Sequence, residues 1–276
     1  MSKHKIDSVG GKLSELERYY DTVPRAGGAR AEDFGPLTLF VQEGAGWPYY
    51  ARPALGGAGA TAADVERVRA RQRELQVPEA FEWVAETSPT LRAAVEAAGL
   101  HVHAHPLMVL DPAAEAVPAH PDVRLIDADD PLLTAAVTVP ALAFAAPGTA
   151  VGEAGPAELA AATADPDAQA RRTRVSGMLA SGRSVMAAAA RDGVVLCSGQ
   201  YIPVGDVAEV VAVGTLPAAR RQGLALGVTA ALAARARASG IRTVFLSAGD
   251  EDVARVYSRI GFRRVATALI AEPPEA

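Results

Sequence analysis

The stretch of sequence that decides the fold is Val213-Gly214-Thr215-Leu216-Pro217-Ala218-Ala219-Arg220-Arg221-Gln222-Gly223-Leu224-Ala225-Leu226. The residues up to Leu216 predict a strand, and the small and apolar residues from Gly223 onward predict a helix. The loop between them carries Arg220 and Arg221. Because the first amides of a helix have no intrahelical acceptor and lie at the positive end of its dipole, such a loop can bind phosphate. The alternative is an ordinary β–α turn with exposed arginines.

The sequence around this stretch alternates between strand and helix patterns. Pro140 is expected to interrupt the first helical region, which starts at Asp130. Arg191-Asp192-Gly193 is typical of a hairpin turn. We therefore expect an α/β (α+β) fold with a mixed central sheet flanked by helices. The predicted strands are 123–126, 184–190, 194–202, 207–216, 243–247 and 264–271, and the other predicted helices are 165–180, 223–239 and 250–260.

The first half of the chain has a similar pattern. Shifting its numbering by about 162 places a helix, a strand, a Gly and an apolar strand over their counterparts in the second half. This pattern indicates an internal duplication, and a chance match is the alternative. We expect a smaller domain at 1–110, a Pro/Ala-rich linker at 111–121 and a second domain at 122–276. In the first half we predict helices at 12–20, 61–75 and 88–99, strands at 37–42, 47–52, 81–85 and 101–110, and a turn at 44–46.

Composition excludes several classes of protein. The chain has 276 residues, half of them hydrophobic, and a net charge of −5 without a basic block, so nucleic acid is not an expected partner. The first residues are too polar for a signal peptide, and no apolar run has membrane-spanning length, so we expect a cytoplasmic protein without a membrane partner. The single cysteine, Cys197, lies in an apolar run and is interpreted as a core residue.

Two motifs of the second half resemble those of one superfamily. Residues 220–225 match Arg-x-x-Gly-x-Gly/Ala, with Pro217 three residues before the first arginine. Residues 254–262 resemble Ala-x-x-Tyr-x-x-x-Gly-Phe and follow one helix and one strand later. The second half, residues 122–270, is on this basis similar to the Gcn5-related N-acetyltransferase (GNAT) superfamily. The first half resembles a smaller GNAT-like domain.

The resemblance implies acetyl-CoA as the acetyl donor. The backbone of Val213, Gly214 and Thr215 is implied to pair with the pantetheine arm and to hold the acetyl carbonyl. Asp250 stands where the family often has an asparagine that contacts the cofactor, and its alternative role is to cap a helix. The residues implied to contact the pyrophosphate are Arg220, Arg221, Gln222, Gly223, Leu224, Ala225 and Leu226.

The resemblance also implies two catalytic residues. Tyr257 lies where the family has a tyrosine that protonates the departing CoA thiolate, and its alternative role is as a core aromatic. Glu209 lies four residues before Val213, where some family members have a general base for the ammonium of the acceptor. A solvent-facing strand glutamate is the alternative for Glu209.

The first half departs from the signature. Residues 58–63, Ala-Gly-Ala-Thr-Ala-Ala, replace 220–225 and contain no arginine, while Asp64 adds a negative charge near the helix start. Val95 replaces Tyr257, so we expect a non-catalytic domain. The alternating His101, His103 and His105 fit a solvated strand face, with a metal site as the alternative. Trp47, Tyr49 and Tyr50 fit a pocket, the core or an interface.

The expected function is therefore acetyl-CoA-dependent N-acetylation of a primary amine, on a small molecule or a peptide, without a metal. The rival is a tandem protein that binds acyl-CoA, or nothing, and catalyses no transfer; the degenerate first half and Asp250 favour it. A third possibility is an enzyme that uses a longer acyl-CoA or a non-amine acceptor. The acceptor itself cannot be inferred, because variable loops bind it in this fold.

Overall fold

The computed structural model describes residues 3–43 and 48–274. These residues form two compact units, Met1–Leu107 with Val265–Ala276, and Met108–Arg264. The turn expected at 44–46 and the indole of Trp47 lie outside the described residues. Among the helices of the described ranges, none has both the length and the apolar character needed to cross a membrane.

The first unit contains three helices and a sheet. β1 and β2 are antiparallel, as are β2 and β3; β3 then runs parallel to β4, which pairs antiparallel with β11. The elements are α1 (Lys3–Ala26), β1 (Arg30–Asp33), β2 (Leu37–Val41), β3 (Ala51–Pro53), α2 (Ala62–Leu75), β4 (Phe81–Val84), α3 (Leu91–Ala97), most of β5 (His101–Leu110) and most of β11 (Phe262–Glu272). Their core includes Leu39, Phe81 and Trp83, all fully buried.

The second unit has its own core around a second set of strands. β6, β7, β8 and β9 are antiparallel neighbours, and β9 pairs in parallel with β10. Helices α4 and α7 both pack on β8 and β9. The elements are β6 (Val123–Ile126), α4 (Leu133–Phe144), α5 (Pro156–Thr163), α6 (Pro166–Ala180), β7 (Val185–Arg191), β8 (Val194–Val204), β9 (Val207–Thr215), a short 3₁₀ turn (Pro217–Ala219), α7 (Leu224–Ala238), β10 (Thr243–Ser247) and α8 (Glu251–Ser258).

The expected α+β class and the mixed sheet are confirmed, but the expected break at Pro140 is wrong. α4 runs through Pro140 to Phe144. Proline cannot donate a hydrogen bond to the carbonyl four residues earlier, here that of Ala136. The Ser198 hydroxyl on β8 donates to that carbonyl at 2.6 Å instead. A tertiary contact therefore replaces the hydrogen bond that the proline removes.

The duplicated element order agrees with the shift of 162. Adding 162 to the starts of α2, β4, α3 and β5 gives 224, 243, 253 and 263, and the corresponding elements α7, β10, α8 and β11 start at 224, 243, 251 and 262. The residue identities are sparse, but the elements agree to within two residues.

Other boundaries differ from expectation. α3 starts after Thr90 and not after Ser88, and α5 was not predicted, because its Ala-rich sequence has one buried apolar residue, Leu159. The residues of β11 from Val265 onward belong to the first compact unit, where they pair with β4. The functional division at 110 and 122 stays a prediction.

Candidate functional site

Strand β9 loses its β10 neighbour halfway along its length. The parallel register runs from Val207 opposite Thr243 to Glu209 opposite Phe245 and ends there. β9 continues to Thr215, whereas β10 ends at Ser247. One edge of the second half of β9 therefore lacks a paired strand among the described residues, and an extended ligand could pair with such an edge as an added strand.

A bulge in β9 sets which side chains share a face. The register with β8 shifts between Ser198, opposite Gly214, and Gln200, opposite Val211. Ala212 has a left-handed φ of 53°, which is unusual for a residue other than glycine. The extra residue lets Glu209 lie on the same sheet face as Gly214, although the two are five positions apart.

Gly214 is buried beneath the last turn of α4. A Cβ on Gly214 would lie 2.8 Å from the Pro140 Cα and 2.9 Å from the Ala143 Cβ. No side chain fits there, so this glycine is required for α4 to pack on the end of β9.

The loop between β9 and α7 leaves its backbone accessible. Arg221 and Gly223 have left-handed φ values of 67° and 78°, and Gly223 is the N-cap of α7. Left-handed residues placed one residue apart direct neighbouring backbone amides toward a common point, as in anion-binding nests. Residues 221–223 are exposed, a Cβ on Gly223 would meet no atom within 4 Å, and the first turn of α7 has no acidic residue. Leu224 is buried, whereas Ala225 and Leu226 are half-buried.

Arg220 faces a different set of partners. Its guanidinium donates to the carbonyls of Ala143 and Ala150 at 3.0 and 3.1 Å, and also to that of Ala146. The neighbouring Arg221 is exposed and follows directly in sequence. The two arginines of the motif therefore occupy different environments.

Tyr257 on α8 is buried near Cys197, which in turn contacts the half-buried Thr215. The Thr215 hydroxyl donates to the Cys197 sulfur at 3.2 Å, and the Tyr257 ring lies 6.1 Å from that of Phe262. Burial raises the pKa of Tyr257 well above its usual range, and the neighbouring Cys197 adds to this. The pKa of Cys197 rises to about 12, mainly through burial, while the Thr215 hydrogen bond opposes the rise. Both groups therefore stay protonated at neutral pH.

Glu209 occupies the last paired position of β9 and β10. It is half-buried, opposite Ile202 on one side and Phe245 on the other. Cross-strand partners share a sheet face, and Ile202 lies on the Ser198 side of β8, toward α4. The side chains of Glu209 and Thr215 thus lie on opposite faces.

Asp250 and Gly261 have structural roles that the local geometry explains. The Asp250 carboxylate accepts from the Val253 amide at 2.8 Å and caps α8. Gly261 has a φ of 103°, and a Cβ there would lie 2.2 Å from that of Ala114. The glycine of the second motif is thus required by the close approach of the segment after β5.

Comparisons with known proteins show a similar fold. Residues 202–270 match the family described as FR47-like protein. A GCN5-related N-acetyltransferase from Kribbella flavida is 21% identical with a TM-score of 0.69, and 96% of each chain is covered. The chain has the tandem GNAT fold. A tandem GNAT protein from the clavulanic acid biosynthesis pathway is 18% identical with a TM-score of 0.51, covering 87% of this chain and 79% of its own.

A tandem GNAT fold does not by itself fix the activity. A functionally unknown conserved protein from Staphylococcus epidermidis is 14% identical with a TM-score of 0.55, covering 91% of this chain and 95% of its own. A search of curated proteins gives no significant match. The functional argument therefore rests on the residues themselves.

In the first half of the chain, the first amides of helix α2 are capped by side chains, whereas the corresponding helix α7 of the second half has no side-chain cap. Thr61 takes the place of Gly223 and caps α2 in a capping box with Asp64. The Asp64 carboxylate accepts from the Thr61 amide at 2.8 Å and from its hydroxyl at 2.7 Å. These hydrogen bonds and the nearby Arg67 lower the pKa of Asp64, so its own carboxylate occupies the position that an anion would need.

Sequence reasoning missed two features of the second half. The bulge at Ala212 has no sequence signal, because alanine is not a residue that favours a left-handed φ. Arg191, at the β7–β8 turn, donates to the Gln222 side chain at 3.2 Å and pairs with Asp122 at 2.7 Å. That contact depends on the sheet order, because 31 residues separate Arg191 from Gln222.

Proposed function

We propose that the protein is an N-acetyltransferase that transfers the acetyl group of acetyl-CoA to a primary amine. The observation that carries the proposal is the combination, in one unit, of an open β9 edge with an uncapped, acid-free start of α7. An edge strand suits an extended amide-containing arm, and a helix start suits a pyrophosphate. Both features of this chain fit the CoA portion of the donor.

In this proposal, the backbone of Val213, Gly214 and Thr215 pairs with the pantetheine arm and donates a hydrogen bond to the thioester carbonyl. That bond strengthens as the carbonyl oxygen gains charge in the transition state. The amides of residues 221–226 bind the pyrophosphate, with Arg221 adding positive charge. Asp250, although it caps α8, remains a candidate contact of the cosubstrate.

Tyr257 and Glu209 then act on opposite sides of the reacting carbonyl. A tyrosine with a raised pKa is a constant hydrogen-bond donor at neutral pH, so Tyr257 stabilises the sulfur as the C–S bond breaks. Glu209, on the face of Gly214, accepts a proton from the acceptor ammonium, directly or through water. The amine nitrogen attacks the carbonyl carbon, the C–S bond breaks, and Tyr257 gives its proton to the departing sulfur, so CoA leaves as the thiol. The second amine proton, released as the amide forms, restores the Tyr257 hydroxyl through solvent.

Calorimetry with CoA, followed by an acceptor screen, tests this proposal. We expect one CoA site per chain, because the Thr61–Asp64 cap closes α2. Amines, amino acids, peptides and aminoglycosides should then be screened for CoA release from acetyl-CoA. Two equivalent sites would contradict the inference that the capped start of α2 binds no CoA. Binding without release against any acceptor would favour the rival, a non-catalytic acyl-CoA-binding protein.

A further inference from the structure

The loop between α4 and α5, residues 145–155, is bonded to the segment that leads into α7. The Gly152 amide donates to the Pro217 carbonyl at 3.1 Å, and the Ala218 amide donates to the Ala154 carbonyl at 3.0 Å. A Cβ on Gly152 would lie 3.0 Å from that of Pro217, so the two backbones are in close contact. The two segments therefore form one packed assembly.

Arg220 provides the remaining bonds of this assembly. Its guanidinium donates to three carbonyls, of Ala143 in the last turn of α4 and of Ala146 and Ala150 within the loop. The last carbonyls of a helix lack intrahelical donors, and a cation there also complements the dipole. The two terminal nitrogens of the arginine fork reach acceptors at separate points, Ala150 from one and Ala143 and Ala146 from the other, whereas the donors of a lysine all sit on one nitrogen.

The loop held in this way adjoins the proposed site. Ala143 packs on Gly214, where we place the thioester, and Glu209 lies on the same sheet face. Phe144 and Val151, which are 61% and 62% exposed, flank the carbonyls that Arg220 binds. The loop is therefore on the face from which the amine would attack.

We propose that Arg220 is a positioning residue that couples the CoA-binding loop to residues 145–155 on the acceptor face, and is not a phosphate ligand. This inference rests on the proposed function and deepens it. CoA binding at the start of α7 fixes the backbone of residues 217–223, and Arg220 transmits that order to the acceptor loop. Because coupling is reciprocal, an ordered acceptor loop also favours CoA binding.

Hydrogen exchange with CoA as the probe tests the coupling. In the wild-type protein, saturating CoA should slow amide exchange in residues 145–155 by about fivefold or more. Arg220→Gln should abolish that protection while CoA affinity changes by less than about threefold. Arg220→Lys keeps the charge but not the fork, so it should also lose the protection and keep the affinity.

Arg221→Gln is the matched control, because it removes an exposed arginine from the next position. It should weaken CoA binding by about fivefold to tenfold, as loss of one phosphate contact does, and keep the protection at saturation. The coupling is refuted if CoA still slows amide exchange in residues 145–155 of Arg220→Lys. It is also refuted if Arg220→Gln keeps this protection and weakens CoA binding as much as Arg221→Gln does. A wild-type protein that binds no CoA would instead overturn the proposed function, and the coupling with it.

Discussion

Replacing Gly223 with glutamate tests the proposed pyrophosphate site most directly. The Cβ of the new side chain would meet no atom within 4 Å. The φ of 78° is unfavourable for any residue with a Cβ and costs about 1–2 kcal/mol. The fold should therefore survive, while the carboxylate occupies the start of α7.

The expected loss of affinity follows from electrostatics. A carboxylate about 5 Å from one phosphate charge is repelled by about 1–3 kcal/mol at effective dielectric constants of 20–80. Two phosphate charges double that energy, so at least about 2 kcal/mol, or a 30-fold rise in the Kd of CoA, is expected. Displacement of the pyrophosphate by the side chain itself adds to this loss.

Two control variants separate ligand exclusion from backbone strain. Gly205→Glu places the same side chain at an exposed position with a φ of 59° and open space, in the turn between β8 and β9. Gly223→Ala introduces strain without charge. All three variants should lower the melting temperature by about 2–8 °C. Only Gly223→Glu should lose CoA binding by calorimetry; if it binds CoA as Gly205→Glu does, the pyrophosphate site is not at α7.

Three further predictions concern buried or catalytic groups. Tyr257→Phe should lower turnover by about 10- to 1000-fold, equally across the neutral pH range because the raised pKa keeps Tyr257 protonated there, with little change in acetyl-CoA affinity. Glu209→Gln should reduce the rate most near neutral pH, and its rate should recover as rising pH deprotonates the amine. If both variants keep the pH–rate profile of the wild type, neither Tyr257 nor Glu209 has its proposed role. Burial raises the pKa of Cys197 from 9.0 to about 12, so its contribution to stability is complete below pH 9 and is lost as pH rises toward 12. The free energy of unfolding of the wild type, measured with urea, should therefore fall above pH 9 by up to about 1.4 kcal/mol per pH unit more than that of Cys197→Ala, and equal slopes would exclude this linkage.

Most elements of the second half could be predicted because their signals are local, but α5 and the course of α4 through Pro140 could not. The helix at 166–180 follows an Asp-Pro start, and the hairpin at Asp192-Gly193 has two residues with left-handed φ, as its sequence predicts. The strand–loop–helix order around Gly223 follows from periodicity and one glycine. The GNAT fold expected from the two motifs, and its tandem arrangement expected from the internal repeat, are confirmed.

The parts that could not be predicted depend on partners distant in sequence. Pro140 stays helical because Ser198, 58 positions later, supplies the missing donor. Arg220 and Arg221 are identical residues side by side, yet only Arg220 bonds the end of α4. A motif specifies which residue types are present, but the neighbouring elements decide which of them face a ligand. The roles of the individual site residues therefore stay predictions.

The contrast between the two helix starts shows how a duplicated fold could retain one site and lose the other. α2 and α7 occupy equivalent places, but α2 begins at a Thr61–Asp64 capping box and α7 begins at a glycine without a side-chain cap. A cap of this kind stabilises a helix by about 1 kcal/mol and uses the amides that an anion would need. Ligand binding and capping are thus alternative uses of the same amide groups. The second half leaves these amides without a side-chain cap, which lowers intrinsic helix stability and fits the proposed ligand site, whereas the first half uses its amides for the cap.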